Sequence, residues 1–166
     1  MLALGDEVTS QGRTITESIA TTAAWLGGYV HPLFMDHDHV REHTSFTPPV
    51  LPGQFVLYLL GGLAEMTGTF DDTTIGLVGL DEVRFRRAVT VGDTIHLRME
   101  VLDKQPSDSG RRGSITFAWR CVDQEERTVL EASVTMLFAR EKVRGTRGKG
   151  RAPDALTAAD HREVSG

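Results

Sequence analysis

The sequence is poor in cysteine, in long apolar runs and in basic charge. Its 166 residues include one cysteine, Cys121, which excludes an internal disulfide and a metal site built from several cysteines. The longest apolar run, residues 55–60, is far shorter than the ~20 residues of a membrane-spanning helix. The first residues, MLALGDEV, lack the basic and apolar regions of a secretory signal. We therefore expect a cytoplasmic protein with no membrane partner.

The charge balance argues against a nucleic-acid partner. The chain has 18 basic and 23 acidic residues, a net charge of −5. Residues 1–140 contain twelve basic and nineteen acidic residues, whereas residues 141–166 contain six and four. Because nucleic-acid affinity depends on neutralising phosphates, the acidic body predicts no such binding. We interpret the chain as one domain over residues 1–140 and a solvated C-terminal tail over residues 141–166.

The first half of the chain predicts helices. Thr16 is a suitable N-cap for a helix over about residues 17–26, and Asp36 is one for a short helix over about residues 37–43. Residues 54–66 are apolar on nearly all sides, which predicts a buried central helix.

Two glycines, Gly61 and Gly62, lie inside this central helix, where glycine is unfavourable. They predict the close approach of a strand or of another helix at that point.

From about residue 75 the hydrophobic period changes from that of a helix to that of a strand. Apolar and polar residues alternate over residues 95–101, 115–121 and 130–138. The short connections between these segments favour an antiparallel meander. The sequence therefore predicts an α+β fold in which a curled antiparallel sheet surrounds the central helix.

A set of short motifs occurs in a fixed order along the chain: Gly5-Asp6, Arg13-Thr14-Ile15-Thr16-Glu17, His31-Pro32-Leu33, Asp36, Pro52-Gly53 and Val83-Arg84-Phe85, with Val89 and Gly92-Asp93-Thr94 after them. Together these motifs resemble the MaoC-like hot-dog family, which includes (R)-specific enoyl-CoA hydratases and 3-hydroxyacyl-thioester dehydratases. The resemblance extends over about residues 4–140. It implies a hot-dog fold, usually dimeric, that acts on an acyl thioester of coenzyme A or of an acyl carrier protein, with no cofactor and no metal.

The chain departs from the family at the positions that carry the chemistry. Active members have an Asp and, five residues later, a His, where this chain has Tyr29 and Phe34. A Ser that often supports the Asp is replaced by Gly61. Because hydration needs groups that hold and release protons, the three replacements predict a changed or absent reaction.

The resemblance also indicates which residues form the site. The backbone amide of Gly53, at the start of the central helix, maps to the oxyanion hole. Tyr29 is either a proton donor or a packed aromatic, and His31 is either a base or a structural His bonded to the loop backbone. Asp36 is an N-cap or a residue that supports the site. The expected substrate-binding residues are Phe34, Pro52, Gly61 and Arg84.

Two further features have alternative interpretations. His39 and His43 are one helical turn apart, a spacing that can chelate a metal with Asp36 as a third ligand, but the resemblance implies no metal. Arg84, Arg86 and Arg87 either pair with a phosphate of the carrier or are solvated charges.

Three functions remain open. We favour a lyase of the hydratase/dehydratase type with altered acid–base chemistry on an enoyl or 3-hydroxyacyl thioester, acting as a homodimer. One alternative is a non-catalytic partner subunit of a heteromeric hot-dog dehydratase. The other is an acyl thioesterase that uses Glu65, although that residue is twelve positions after Gly53, about 18 Å along a helix.

Overall fold

The fold combines three α-helices with one antiparallel sheet. A computed structural model describes residues 2–70 and 73–140. The elements are β1 (Glu7–Thr9), β2 (Arg13–Thr14), α1 (Glu17–Gly27), a 3-10 helix (Pro32–Phe34), α2 (His37–His43), α3 (Gly53–Glu65), β3 (Thr74–Phe85), β4 (Thr94–Pro106), β5 (Arg112–Val122) and β6 (Thr128–Ala139).

The helix starts follow the predicted caps. The hydroxyl of Thr16 accepts from the backbone N–H of Ile19 at 3.3 Å, and α1 begins at the next residue. One carboxylate oxygen of Asp36 accepts from the N–H groups of Asp38 and His39, both at 3.0 Å. Both predicted helices are therefore confirmed, with their first backbone donors paired by side chains.

The strands form a sheet in the order β1-β4-β5-β6-β3, and β2 pairs beside β1 on β4. The predicted meander is confirmed for β4, β5 and β6, which are antiparallel neighbours in sequence order. The strand that precedes them, β3, pairs with β6 and not with β4. It therefore forms an edge of the sheet, with no strand beyond it in the described part of the chain.

The core lies between α3 and the inner face of the sheet. Leu60 and Leu63 of α3 are almost completely buried, in one cluster with Phe117 and Leu130 of the sheet. The opposite face of α3 is open in a single chain, where Tyr58 has 72% of its surface exposed. The central helix thus has one buried face, although its sequence is apolar on nearly all sides.

Gly61 and Gly62 of this helix do not lie against another element, contrary to the prediction. A Cβ atom added to Gly61 or Gly62 would meet nothing within 4 Å. The predicted close approach of a strand or helix is therefore wrong for a single chain, because both glycines lie toward the open side of α3.

No helix in residues 2–70 or 73–140 is long and apolar enough to cross a membrane. The tail predicted over residues 141–166 lies outside the described residues.

Candidate functional site

The start of α3 presents unpaired backbone donors. The carbonyl of Pro52 accepts from the N–H groups of Phe55 and Val56, at 2.9 and 3.2 Å. The N–H groups of Gly53 and Gln54 have no acceptor among the described residues, as expected in the first turn of a helix. The helix dipole adds positive potential at this end. The site can therefore stabilise an oxygen atom that gains negative charge.

The absence of a side chain at Gly53 makes room for an aromatic ring. A Cβ atom there would lie 2.9 Å from Cε1 of Phe85, so the ring covers one side of the helix start. Between Asp81 and Arg84 the pairing of β3 with β6 shifts by one residue, and Glu82 has a φ of 51°. This bulge precedes Phe85 at the end of β3. Because the Phe85 ring lies so close to the helix start, residue 53 has no room for a side chain.

Tyr29 is fixed beside the start of α3. Its hydroxyl donates to Oε1 of Gln54 at 3.0 Å, and its ring packs edge-to-face against Phe34 with centroids 5.1 Å apart. A Cβ atom on Gly27 would overlap the Tyr29 ring, so that glycine also fixes the ring position. The sequence prediction did not include Gln54. One signal in the sequence could have indicated Gln54, because this polar residue directly follows Gly53 and opens an otherwise apolar run.

His31 caps the 3-10 helix. Its Nδ1 accepts from the backbone N–H of Leu33 at 3.1 Å, a contact that supports the loop-binding alternative. A neutral histidine with Nδ1 as acceptor carries its proton on Nε2, so that atom is a donor. The ring also lies near Phe34 and His39, with centroid distances of 6.5 and 6.1 Å. In this arrangement His31 is not placed to receive a proton at Nε2.

Asp36 and the α2 histidines form contacts with one another and with the backbone. The N–H of His39, with that of Asp38, keeps the pKa of the Asp36 carboxyl below its ordinary value. The rings of His39 and His43 stack with centroids 4.6 Å apart, and Nδ1 of His43 lies 3.1 Å from the carbonyl of His39. Within residues 2–70 and 73–140, no group of three His, Cys, Asp or Glu side chains could hold a metal ion.

A groove of about 580 Å³ follows the open face of α3. Gln54, Tyr58 and Met66 contribute to its wall at intervals of four or eight residues, so the groove extends along the helix axis. Leu77 and Leu80 of β3 form part of its lining. The interior is mostly apolar, which suits a hydrocarbon chain better than a charged group.

The expected substrate-binding residues are distributed unevenly around this groove. Gly61 lines it, and Pro52 is buried directly before the helix start. Phe34 reaches the site through its contact with Tyr29. Arg84 is exposed on β3 and donates to the carbonyl of Val83 at 3.0 Å, outside the groove lining. Glu65, the last residue of α3, is also outside that lining.

A second, polar pocket of about 300 Å³ lies where loop 86–93 meets the β5–β6 turn. Its buried carboxylate, Asp123, accepts from the N–H groups of Glu125 and Arg127 at 2.9 Å and from Nε of Arg127 at 2.8 Å. Burial raises the pKa of Asp123, but these hydrogen bonds outweigh it and keep that pKa below its ordinary value. This carboxylate is therefore already paired within the turn, in keeping with a structural role.

The comparisons with known proteins identify the family. Residues 3–117 match the MaoC like domain family, and the chain belongs to that family. The 3-hydroxyacyl-[acyl-carrier-protein] dehydratase FabZ of Syntrophotalea carbinolica is 31% identical over 96 residues, which cover 55% of this chain and 60% of that protein. The match thus spans less than two thirds of the curated relative's length.

Solved structures share the fold. The monoamine oxidase regulatory protein from Archaeoglobus fulgius has a TM-score of 0.73 and 29% identity, covering 84% of this chain and 92% of its own. The HadBC (3R-hydroxyacyl-ACP dehydratase) complex from Mycobacterium tuberculosis has a TM-score of 0.67 and 18% identity, covering 81% and 96%. The predicted α+β hot-dog fold is therefore confirmed.

Proposed function

We propose that the chain acts on the enoyl or 3-hydroxyacyl group of an acyl thioester, carried by coenzyme A or an acyl carrier protein, as a lyase with altered acid–base groups. The observation that supports this function is the apolar groove along α3, which is lined by Gln54 and lies next to the unpaired N–H groups of Gly53 and Gln54 in the first turn of that helix. Membership of the MaoC like domain family agrees with it.

The groove and the helix start suggest how the substrate binds. The thioester carbonyl would accept from the Gly53 N–H, and the acyl chain would follow α3 toward Met66. The twelve residues from Gly53 to Glu65 correspond to about 18 Å of helix, which is long enough for an extended acyl chain. An N–H aimed at the carbonyl oxygen stabilises the enolate-like charge that forms when the α-carbon loses or gains a proton.

Tyr29 is the proposed proton donor. Of the residues at the two replaced acid–base positions, Phe34 has no exchangeable side-chain proton, whereas the Tyr29 hydroxyl lies within hydrogen-bond distance of Gln54 in the first turn of α3. A rotation about its C–O bond would turn the proton from Gln54 toward a bound ligand. In hydration that proton would go to the α-carbon as the water oxygen bonds to the β-carbon, and the proton that the water loses would return to the phenolate oxygen of Tyr29. We assign His31 and Asp36 to positioning of the loop, because each caps a helix.

The test is incubation of the purified chain with crotonyl thioesters and longer enoyl thioesters, while the absorbance of the conjugated double bond is recorded. We expect that absorbance to decrease as water adds. The absence of turnover on every thioester offered would contradict the enzymatic proposal.

A second candidate is a non-catalytic partner subunit. It is favoured by the contact between His31 and Leu33, because Nδ1 of His31 already accepts a hydrogen bond and is not free to act as the base that hydration also needs. The HadBC dehydratase is itself a complex. Native mass spectrometry should then show a second hot-dog chain in the complex purified from the source cells, whereas an active homodimer would contradict this candidate.

A homodimer through β3 completes the proposal. This edge strand exposes Ile75, Val78 and Phe85 to a large extent, and exposed apolar edges invite pairing with another strand. Pairing of two β3 strands would bring a second copy beside Leu77 and Leu80 in the groove. We propose residues 1–140 as the domain that forms this unit and residues 141–166 as a separate tail.

A further inference from the structure

We infer that Gln54 is a carbonyl-binding residue, whose side-chain amide donates a second hydrogen bond to the thioester oxygen beside the Gly53 N–H. This inference rests on the proposed function, because it assumes that the ligand carbonyl lies at the start of α3.

The hydrogen bond with Tyr29 sets the orientation of the Gln54 amide. Its Oε1 accepts from the Tyr29 hydroxyl at 3.0 Å, so Nε2 is on the branch of the amide that is not engaged by Tyr29. Nε2 has two N–H donors, and neither has an acceptor among the described residues. The same side chain lines the groove, so these donors are available to a ligand that enters there.

The Tyr29 side chain that holds the Gln54 amide is itself fixed by packing. The ring of Tyr29 packs against Phe34 and covers Gly27, so its hydroxyl has a defined position. An exposed glutamine ordinarily samples many rotamers, and a fixed hydrogen-bond partner reduces that freedom. Tyr29 is therefore a positioning residue for Gln54 in addition to its proposed role as a proton donor.

The position of Gln54 also distinguishes it from the other polar groups of the groove. It is in the first turn of α3, where its own backbone N–H and that of Gly53 are unpaired. Arg13 lines the same groove, and residues near it contact the far end of α3, where Gln11 Nε2 lies 3.7 Å from Met66 Sδ. Tyr58, the remaining polar residue of the lining, is one turn further along α3. Gln54 is thus the polar side chain of the lining that lies in the first turn, where the carbonyl is proposed to bind.

The test compares two ligands that do not react. One is an acyl-CoA analogue in which a methylene group replaces the thioester sulfur, so that the carbonyl remains. The other is an S-alkyl coenzyme A of equal length, which has no carbonyl. Calorimetry gives the dissociation constants of both for the wild-type chain, for Gln54→Leu and for Gln105→Leu. Gln105 is an exposed glutamine at the end of β4, so it provides the matched control.

The wild-type chain should bind the carbonyl analogue more tightly than the thioether. In Gln54→Leu this preference should decrease by about threefold to tenfold, as expected for the loss of one hydrogen bond, and in Gln105→Leu it should be unchanged. Gln54→Glu, which removes the donors without removing polarity, should lose the preference as well. Circular dichroism melting curves identify any variant that has not folded.

The outcomes separate the inference from the proposed function. If the wild-type chain binds neither ligand, the proposed function fails. If it binds both and Gln54→Leu and Gln54→Glu keep the full preference for the carbonyl, the function stands and the assignment of Gln54 is overturned. Equal binding of the two ligands by the wild-type chain also overturns the assignment.

Discussion

Replacement of Tyr29 by phenylalanine distinguishes two proposed roles of the Tyr29 hydroxyl, because the loss of each role would lower the activity by a different factor. The change removes the hydroxyl that donates to Gln54 at 3.0 Å and keeps the ring that packs against Phe34. If the hydroxyl only orients Gln54, the loss is that of one hydrogen bond, about 0.5–1.5 kcal/mol, or about 2-fold to 13-fold. Loss of a proton donor in the transition state costs about 100-fold to 10,000-fold.

We predict the larger effect in Tyr29→Phe. The kcat for hydration of a crotonyl thioester should decrease by at least about 100-fold, while KM changes by less than about tenfold. The assay is the initial rate of loss of the enoyl absorbance over a range of substrate concentrations. Tyr58→Phe is the matched control, because Tyr58 is the other of the two tyrosines in the chain and is largely exposed, and the change keeps its ring. Its kcat should remain within about twofold of the wild-type value.

A small effect would refute this reasoning. If kcat in Tyr29→Phe decreases by less than about tenfold, the hydroxyl positions Gln54 but transfers no proton, and another group must supply the proton.

Three other perturbations test the edge strand, the polar turn and the buried thiol. Val78→Lys places a charge on the exposed edge of β3, where 48% of Val78 is exposed, so sedimentation of this variant should show a monomer. The control, Leu102→Lys on β4, changes a residue that is 50% exposed and should leave the dimer intact. Equal sedimentation of both variants would contradict the β3 interface. Because the folded chain holds the pKa of Asp123 below its unfolded value, its stabilisation is present above that unfolded value and is lost as pH falls through the folded value. Asp123→Asn should lower the free energy of unfolding in urea by about 1.5–3 kcal/mol at pH 7, with a smaller difference from wild type below about pH 4, and a difference that does not change with pH would be the contrary result. Burial raises the pKa of the Cys121 thiol to about 12. A thiol reagent at about pH 8 should therefore label Cys121 only after the chain is denatured. Rapid labelling of the native chain would contradict the burial of Cys121.

Local rules were sufficient for much of the fold. The starts of α1 and α2 follow from the ability of the Thr16 and Asp36 side chains to pair the first N–H groups of a helix. The start of α3 at Gly53 has no such side-chain cap. The alternation in β4, β5 and β6 follows from burial of one sheet face.

The arrangement of the edge strand could not be predicted in the same way. Nothing local indicates that β3 pairs with β6, about fifty residues later, because that choice depends on the packing of the whole sheet. The open face of α3 was missed for a related reason: an apolar sequence does not show whether its covering surface belongs to the same chain.

For the candidate site, too, local motifs could be read from the sequence, whereas contacts between distant residues could not. The region from Tyr29 to Asp36 was identified from motif positions, but the contact of Tyr29 with Gln54 joins residues 25 positions apart. The contact of Gly53 with Phe85 depends on a bulge in β3 that no local pattern indicates.

The most direct measurement is a crystal structure with the carbonyl-retaining acyl-CoA analogue bound. We predict its carbonyl oxygen at about 3 Å from the Gly53 nitrogen, with the acyl chain in the groove along α3 toward Met66. An analogue bound with its carbonyl away from the start of α3, or with its acyl chain outside that groove, would contradict the proposed function.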